Sequence, residues 1–483
     1  MDTLVTPMRV SCLLFAFACA VAQARPALEK PNIVVVLLDD SGYGDFTHTG
    51  NPTIHTPNVS RMVREGANFP QFYSGSPACS ASRYALMTGR NPRRSGLNAL
   101  ALAPTAQRHI HPKEVTLAEG LKERGYATGF FGKWHLGNPN PSNGNTPDAF
   151  PLAHGFEVWE GTNVSNDYDP SSNLIRSKAS GTEPVAGYEI IERDICSNVP
   201  LQEGLTGRYR DLGIQFIKDH KEKPFLLYIA PNMPHLPVHA SKAFQGKSLH
   251  GPYGDCIEEI DEMMGELTRA LEKEGIAQNT LVILSSDNGP WISHQDDVNH
   301  PKYGEARRLV GSALPFRDGK GSTWEGGVRE VGVWYWPGTI LPATVVRQPA
   351  STMDVLPTAF ALAGEPLPTG RTIDGRDIRP YLNPAAFKGS VTNFRYIYTG
   401  QPDSSIYGAR IGPWKLHTRL FSQLGQSYGF TASNEKPLLF NVEEDPYERI
   451  DRASEQNAKV AELKGAIDDF KASVAKEKTF WDE

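Results

Sequence analysis

NIVVVLL, residues 32–38, decides the fold: six apolar side chains follow Asn32 without a break, and four of them are β-branched. A strand with one face in water alternates apolar and polar residues. An unbroken run of strand length is what a strand covered on both faces of a parallel sheet requires. The run stops at Asp39-Asp40. Downstream, Thr56 and Pro57 are cap and first-turn residues for a helix carrying Val59, Met62 and Val63, and Gly66 stops it. Together these make one β–α step.

The step recurs three times. Thr116 caps a helix with Leu117 and Leu121 that stops at Gly125, and the strand-like YATGFF (126–131) leads into Gly132-Lys133-Trp134-His135. A helix near Thr206 to His220 precedes FLLYIA (225–230), which ends in PNMPH. Ile257, Ile260, Met264, Leu267 and Leu271 keep the spacing of an amphipathic helix, and after Gly275 the run LVILSS leads into Asp287-Asn288-Gly289. The expected class is α/β, with a large, mainly parallel central sheet flanked by helices. Ligands of such sheets bind beyond the carboxyl ends of the strands, so the four polar endings should converge on one crevice.

Beyond residue 385 the texture changes to FRYIYTG, YGARIGPWKLHT and PLLFNVEE, followed by a charged helix from about Ala453. This pattern predicts a smaller antiparallel sheet with a helix. Residues 25–385 are therefore expected to form the catalytic domain and 386–483 a C-terminal α+β subdomain.

Composition narrows the function classes. The chain has 483 residues, 39% hydrophobic and 22% charged, which excludes a disordered or low-complexity protein. Its net charge is −6 and it has no long basic run, so no nucleic-acid partner is expected and any bound anion needs a local cationic site. At the N-terminus, Arg9, the apolar run Cys12–Val21 and Ala22-Gln23-Ala24 form the pattern of a signal peptide over residues 1–24. The run falls short of the ~20 residues a membrane span needs, so the expected product is exported, with no membrane attachment after cleavage. Of five cysteines, Cys79, Cys196 and Cys256 would remain, and an odd number in an exported chain sets one apart.

Two constellations carry chemistry. Asp39-Asp40 and Asp287-Asn288 supply three carboxylates and an amide oxygen, a hard-oxygen set suited to Ca²⁺ or Mg²⁺. Adjacent acids alone more often cap a turn, but a second acidic strand ending favours a cation that relieves their repulsion. The other is Pro77-Ala78-Cys79-Ser80-Ala81-Ser82-Arg83, where a helix would place Arg83 on the cysteine's face. His154, Asn163, Ser165, Asn166 and Asp167 lie in or near the polar stretch around GFEVWEG and are candidates to approach a substrate, none of them expected to be catalytic.

Cys79-Ser80-Ala81-Ser82-Arg83, with Thr88-Gly89-Arg90 as its extension, resembles the signature of the type I sulfatases, in the arylsulfatase branch of the alkaline phosphatase superfamily. GKWHLG (132–137), APNMPHLP (230–237), SDNG (286–289) and GKGSTWEGGVRE (319–330) match further family motifs in order, and the resemblance spans about residues 31–420. It implies an alkaline-phosphatase-like fold and oxidation of Cys79 to Cα-formylglycine by a maturation enzyme that is a transient partner. Ala81 stands where many members have proline. The resemblance further implies one Ca²⁺ held by Asp39, Asp40, residue 79, Asp287 and Asn288. Lys133 and Lys320 would clamp sulfate oxygens, and Arg83 would fix the cluster. His235 would protonate the leaving alcohol, and His135 would take the proton of the remaining hydroxyl so that sulfate departs. The implied substrate is a small or terminal sulfated sugar or an aryl sulfate. A phosphate or phosphonate ester hydrolase with the same pocket, or a glycan-binding relative without turnover, are the competing readings. Cys196 and Cys256 are candidates for a disulfide that would leave Cys79 alone.

Overall fold

A computed structural model describes residues 30–97, 101–292, 310–400, 405–421 and 436–483. The expected signal segment, 1–24, lies outside the described residues. The strands are β1 Asn32–Leu38, β2 Ala67–Asn68, β3 Phe72–Tyr73, β4 Ala127–Gly132, β5 Val158–Thr162, β6 Leu174–Ser177, β7 Tyr188–Glu192, β8 Phe225–Ala230 and β9 Thr280–Ser286. They continue with β10 Arg329–Glu330, β11 Val333–Tyr335, β12 Thr344–Val345, β13 Ala350–Ser351, β14 Arg395–Gly400, β15 Ser405–Ile411, β16 Trp414–His417 and β17 Leu438–Asn441. The first six helices are α1 Pro57–Glu65, α2 Cys79–Thr88, α3 Leu117–Glu123, α4 Val199–His220, α5 Pro252–Lys273 and α6 Glu325–Val328.

The central sheet has ten strands in the order β12-β2-β11-β9-β1-β8-β4-β5-β6-β7. β1 lies at its heart, parallel to both neighbours, with Val35 opposite Tyr228 on β8 and Ile283 on β9. The parallel run β9-β1-β8-β4-β5 is flanked by antiparallel pairs, β11 on β9 and β6 on β5.

The unbroken apolar run of β1 follows from burial on both faces. Ile33, Val35 and Leu37 enter one core with Leu117 and Leu121 of α3 and with Leu356 and Phe360. Val34, Val36 and Leu38 enter the other core, against Val59 and Met62 of α1 and Ile257, Ile260 and Met264 of α5. Each such side chain contributes about 1.5–3 kcal/mol relative to exposure, so β1 is anchored from both sides.

Two boundaries differ from the sequence expectation. Helix α4 starts at Val199, seven residues before Thr206, because Asn198 accepts the Leu201 N–H at 3.1 Å and Pro200 fits the first turn. The terminal helix runs from Asn457 to Lys476 and not from Ala453, because the Asp451 carboxylate takes the Ala453 N–H at 2.9 Å and holds that stretch as a turn. The antiparallel strands β6 and β7 extend the sheet beyond β5.

Strands β14-β15-β16-β17 form a separate antiparallel sheet. Ile397, Ala409, Leu416 and Leu439 on one of its faces pack against Leu463 and Ile467 of the terminal helix. No disulfide joins Cys196 and Cys256: the Cys196 thiol donates to the Asn166 carbonyl at 3.0 Å, and Cys256 is buried as a thiol in α5. No helix among the described residues is long and apolar enough to cross a membrane.

Candidate active site

The carboxyl ends of β1, β4, β8 and β9 do converge. Asp39 and Asp40 follow β1, Lys133 and His135 follow β4, His235 follows β8, and Asp287 and Asn288 follow β9; all are 3% exposed or less. One ligand atom from each of Asp39, Asp40, Cys79 and His235 lies within 4.8 Å of the others.

Cys79 opens α2, a helix buried along its whole length. Its thiol donates to Asp39 Oδ1 at 3.7 Å, and Arg83 Nη2, one turn on, stands 3.5 Å from the same oxygen. Arg83 also reaches Asp287 Oδ2 at 2.7 Å and donates to the Lys133 carbonyl at 3.1 Å. One guanidinium thus ties together three strand ends. Lys133 Nζ bonds Asp39 Oδ2 and Ser165 Oγ, both at 2.6 Å. Lys320 Nζ bonds Asp40 Oδ2 at 2.8 Å and lies over the Trp291 ring, 4.8 Å from its centroid.

Two glycines permit this convergence. A Cβ on Gly289 would fall 1.9 Å from the Gly326 carbonyl oxygen, so only glycine lets the Asp287–Gly289 turn pack against the segment after Lys320. Gly321, at φ 83°, donates its N–H to Pro77 O at 2.7 Å and joins the Lys320 turn to the Cys79 loop. Asp40 and His135 adopt left-handed backbone, φ 64° and 54°, at a cost of about 1–3 kcal/mol each that the surrounding bonds must hold.

Electrostatics follow from charge crowding in a buried site. Burial alone would raise the Asp39 carboxyl, but Lys133, His235, Arg83 and Lys320 outweigh it and hold the group far below its ordinary range. Asp287 is pushed up by burial, which its Arg83 partner only partly offsets. The Cys79 thiol is pushed up to about 12, because burial and the nearby Asp287 and Asp39 outweigh Lys133 and Lys320. A thiol so protonated is a poor nucleophile.

Burial, then Lys133 and Arg83, hold His135 well below 6.5. Its Nε2 lies 3.0 Å from the Leu102 carbonyl, which can only accept, so Nδ1 carries the lone pair. That Nδ1 has no hydrogen-bond partner among the described residues. His235 is the mirror case: Nδ1 donates to Leu236 O at 2.6 Å, and Nε2 faces Ser165 Oγ at 3.4 Å and Asp40 Oδ2 at 3.6 Å. Burial, then Lys320, lowers it, while Asp40 and Asp39 pull the other way.

A hard cation suits this donor set. Asn288 Nδ2 donates to Asp40 Oδ1 at 2.7 Å, while Asn288 Oδ1 is buried with no donor among the described residues, an oxygen that a cation would satisfy. The three carboxylates are balanced by Arg83, Lys133 and Lys320, so a divalent ion turns the pocket positive, ready for an anionic ester. The odd member is the Cys79 sulfur, a soft donor where hard cations favour oxygen.

The remaining sequence candidates divide. Ser165, not expected to be catalytic, lies inside the site on Lys133 and His235, and nothing local in the sequence distinguishes it from its polar neighbours. His154 lies outside the site: buried, with Nε2 on the Asp148 carbonyl at 2.8 Å, it stacks on Trp134 in the core. Asn163 and Asn166 are structural. Asn163 donates to Asn138 and Ser171, and Asn166 to Gln202 and Pro237. Asp167 is half-buried beside them.

A doubly covered α/β sheet that gathers carboxylates, lysines, an arginine and two imidazoles around one helix-initial cysteine has the build of a hydrolase for anionic esters. The family model described as Sulfatase matches residues 31–365, and the chain belongs to the sulfatase family. It is 35% identical to N-acetylgalactosamine-6-sulfatase of Rattus norvegicus over 478 residues, 92% of this chain and 86% of that one. It is also 35% identical to arylsulfatase A of Homo sapiens over 461 residues, 90% of this chain and 85% of the relative. Among solved structures, PsFucS1 sulfatase from Pseudoalteromonas sp. superposes with a TM-score of 0.79 at 26% identity, covering 93% of this chain and 91% of the other.

Proposed function

We propose that the chain hydrolyses the sulfate ester of a small or terminal sulfated sugar, or of an aryl sulfate, using residue 79 as a formylglycine hydrate and one bound Ca²⁺. The observation that carries this reading is the cluster of Asp39, Asp40, Cys79 and His235 with Lys133 and Lys320 on its carboxylates. Burial pushes the unmodified thiol up, away from a reactive thiolate, which supports an aldehyde hydrate, with its hard oxygen, as the nucleophile at this position. Similarity to proteins named N-acetylgalactosamine-6-sulfatase and arylsulfatase A supports the two substrate classes.

Asp39, Asp40, residue 79, Asp287 and Asn288 would hold the calcium ion. When bound, the ion supplies positive charge to an ester oxygen and favours the ionised form of the nucleophile. Lys133 and Lys320 neutralise the other sulfate oxygens as charge shifts toward the leaving group. His235, in its protonated form, delivers the Nε2 proton to the departing alcohol. His135, with Nδ1 unprotonated, accepts the proton whose removal regenerates the aldehyde and frees sulfate. Arg83 orients Asp39 and Asp287. The net charge of −6 opposes long-range capture of a polyanion, which favours a small or terminal substrate. Residues 1–24 support export, and the signature at 79–83 supports a formylglycine-generating maturation enzyme as transient partner.

The test is sulfate release from a panel of sulfated monosaccharides and p-nitrophenyl sulfate by protein made with a maturation enzyme. Turnover that Cys79→Ala abolishes is expected; equal turnover by C79A would overturn the reading.

A further inference from the structure

The C-terminal sheet is amphipathic in an unusual sense. On β16, Trp414 and Leu416 face the terminal helix, while the alternate residues Lys415 and His417 face the catalytic domain, each 0% exposed. On β15, Ala409 and Ile411 face the helix and Arg410, also 0% exposed, faces inward. A period-2 pattern of this kind normally turns its charges to water. Here they are sealed against another set of charges.

The partner is the segment that carries Lys320. Lys415 Nζ lies 2.9 Å from Glu325 Oε1 and 3.0 Å from Glu448 Oε1. Glu448 Oε2 accepts the Glu325 backbone N–H at 2.7 Å, and Glu448 Oε1 lies 2.7 Å from His417 Nε2. Glu325 Oε2 accepts from Tyr73 at 2.5 Å and from Arg329 at 3.2 Å, and Arg410 donates to the Tyr73 hydroxyl. Trp324 packs between His417, at 4.6 Å, and the Arg317 guanidinium, at 3.9 Å. Glu448 holds left-handed backbone, φ 54°, to make these bonds. The other end of the segment is pinned to the active site: Lys320 donates its N–H to Pro290 O at 2.9 Å and Gly321 to Pro77 O at 2.7 Å, two residues before Cys79.

Buried ion clusters are weak devices for stability, because desolvation offsets their attraction, and in some proteins their role is to fix one geometry. We infer that Lys415 and Glu448 are positioning residues through which the C-terminal sheet holds the Glu325 segment and so sets Lys320 against Asp40 and residue 79. The inference rests on the reading of Lys320 as a sulfate clamp. It makes the small sheet a working part of the sulfate pocket, although none of the sheet's charged groups described here touches the proposed site.

The test compares Lys415→Met with Leu463→Ala. Leu463 of the terminal helix is buried against the opposite, apolar face of the same sheet, so its truncation loosens the sheet without touching the ion cluster. Melting temperature, kcat and KM for an aryl sulfate and the inhibition constant of inorganic sulfate are measured, with Lys320→Ala alongside. K415M is expected to lose on the order of 10- to 100-fold in kcat/KM and to bind inorganic sulfate correspondingly more weakly, while L463A at equal or greater loss of melting temperature stays within about twofold. Equal kinetics for K415M and L463A would overturn the inference. Loss in K320A with none in K415M overturns the inference and spares the clamp; no loss in either overturns both. Glu448→Gln, which keeps the side-chain shape, carries the same comparison if K415M does not accumulate.

Discussion

Arg83 Nη2 lies 2.7 Å from Asp287 Oδ2, with neither side chain more than 1% exposed, and the ion pair spans 204 residues of chain. It fastens the helix that begins at Cys79 to the end of β9. Removing one member of a buried pair strands the other charge, so Arg83→Met should cost about 3–5 kcal/mol. The cost depends on pH. Burial already raises the Asp287 carboxyl, and without Arg83 it rises further. A carboxyl raised in the folded state binds protons that the unfolded chain has released, and because Asp287 already sits at about 7 beside Arg83, the variant's extra deficit opens as pH rises above that value toward the still higher one it has without Arg83. Thermal unfolding at pH 5 and pH 8 should show the larger loss at pH 8; an equal loss at both would detach Asp287 from the effect.

The proposed role of His235 as proton donor ties activity to the leaving group. His235→Ala should lower kcat on a sugar sulfate by about 10²–10⁴-fold, yet affect p-nitrophenyl sulfate far less, because nitrophenolate leaves without a proton. Burial, then Lys320, place the His235 pKa below 6.5. The active protonated form is therefore lost as pH rises through that lowered value, and kcat/KM for the sugar ester should fall on the alkaline side. Equal losses of H235A on both esters would remove the assignment.

Ser165 Oγ accepts from Lys133 Nζ at 2.6 Å, a charge-assisted bond. Ser165→Ala should weaken catalysis about tenfold, the loss of ~1.5 kcal/mol. Steady-state kinetics test this, and unchanged kcat/KM would show that Asp39 alone holds Lys133.

On the proposed reading calcium binds the folded site and not the unfolded chain, so it should raise stability by about 2.7 kcal/mol at a hundredfold excess over its dissociation constant. Chelation should lower the melting temperature and added Ca²⁺ restore it. A melting temperature indifferent to both would speak against a cation among Asp39, Asp40, Asp287 and Asn288.

The elements that the sequence announced are those whose reasons are local. β1 and β8 are unbroken apolar runs because both faces are covered, and the polar residues that end the strands meet because parallel strands end on one side. Arg83 is legible because four residues along a helix is one turn from Cys79. What was not legible depends on distant chain. Ser165 looks like any serine in a polar loop until β5 places it beside Lys133 and His235, and His154 looks like a candidate until the core closes over it. WKLHT reads as a piece of a small antiparallel sheet, and only the docking of that sheet on Glu325 turns Lys415 and His417 inward. Cys196 and Cys256 read only as candidates for a pair, because an exported chain tends to oxidise its thiols, and in the fold one bonds a backbone carbonyl and the other fills a helix face.

The most direct test of the central claim is peptide mass spectrometry across residue 79, on protein made beside a competent maturation enzyme, with an aldehyde-reactive probe. The account predicts the mass loss that accompanies conversion of the thiol to an aldehyde, labelling by the probe, and sulfate release in proportion to the converted fraction. An intact Cys79 thiol in protein that turns over a sulfate ester at full rate would contradict it.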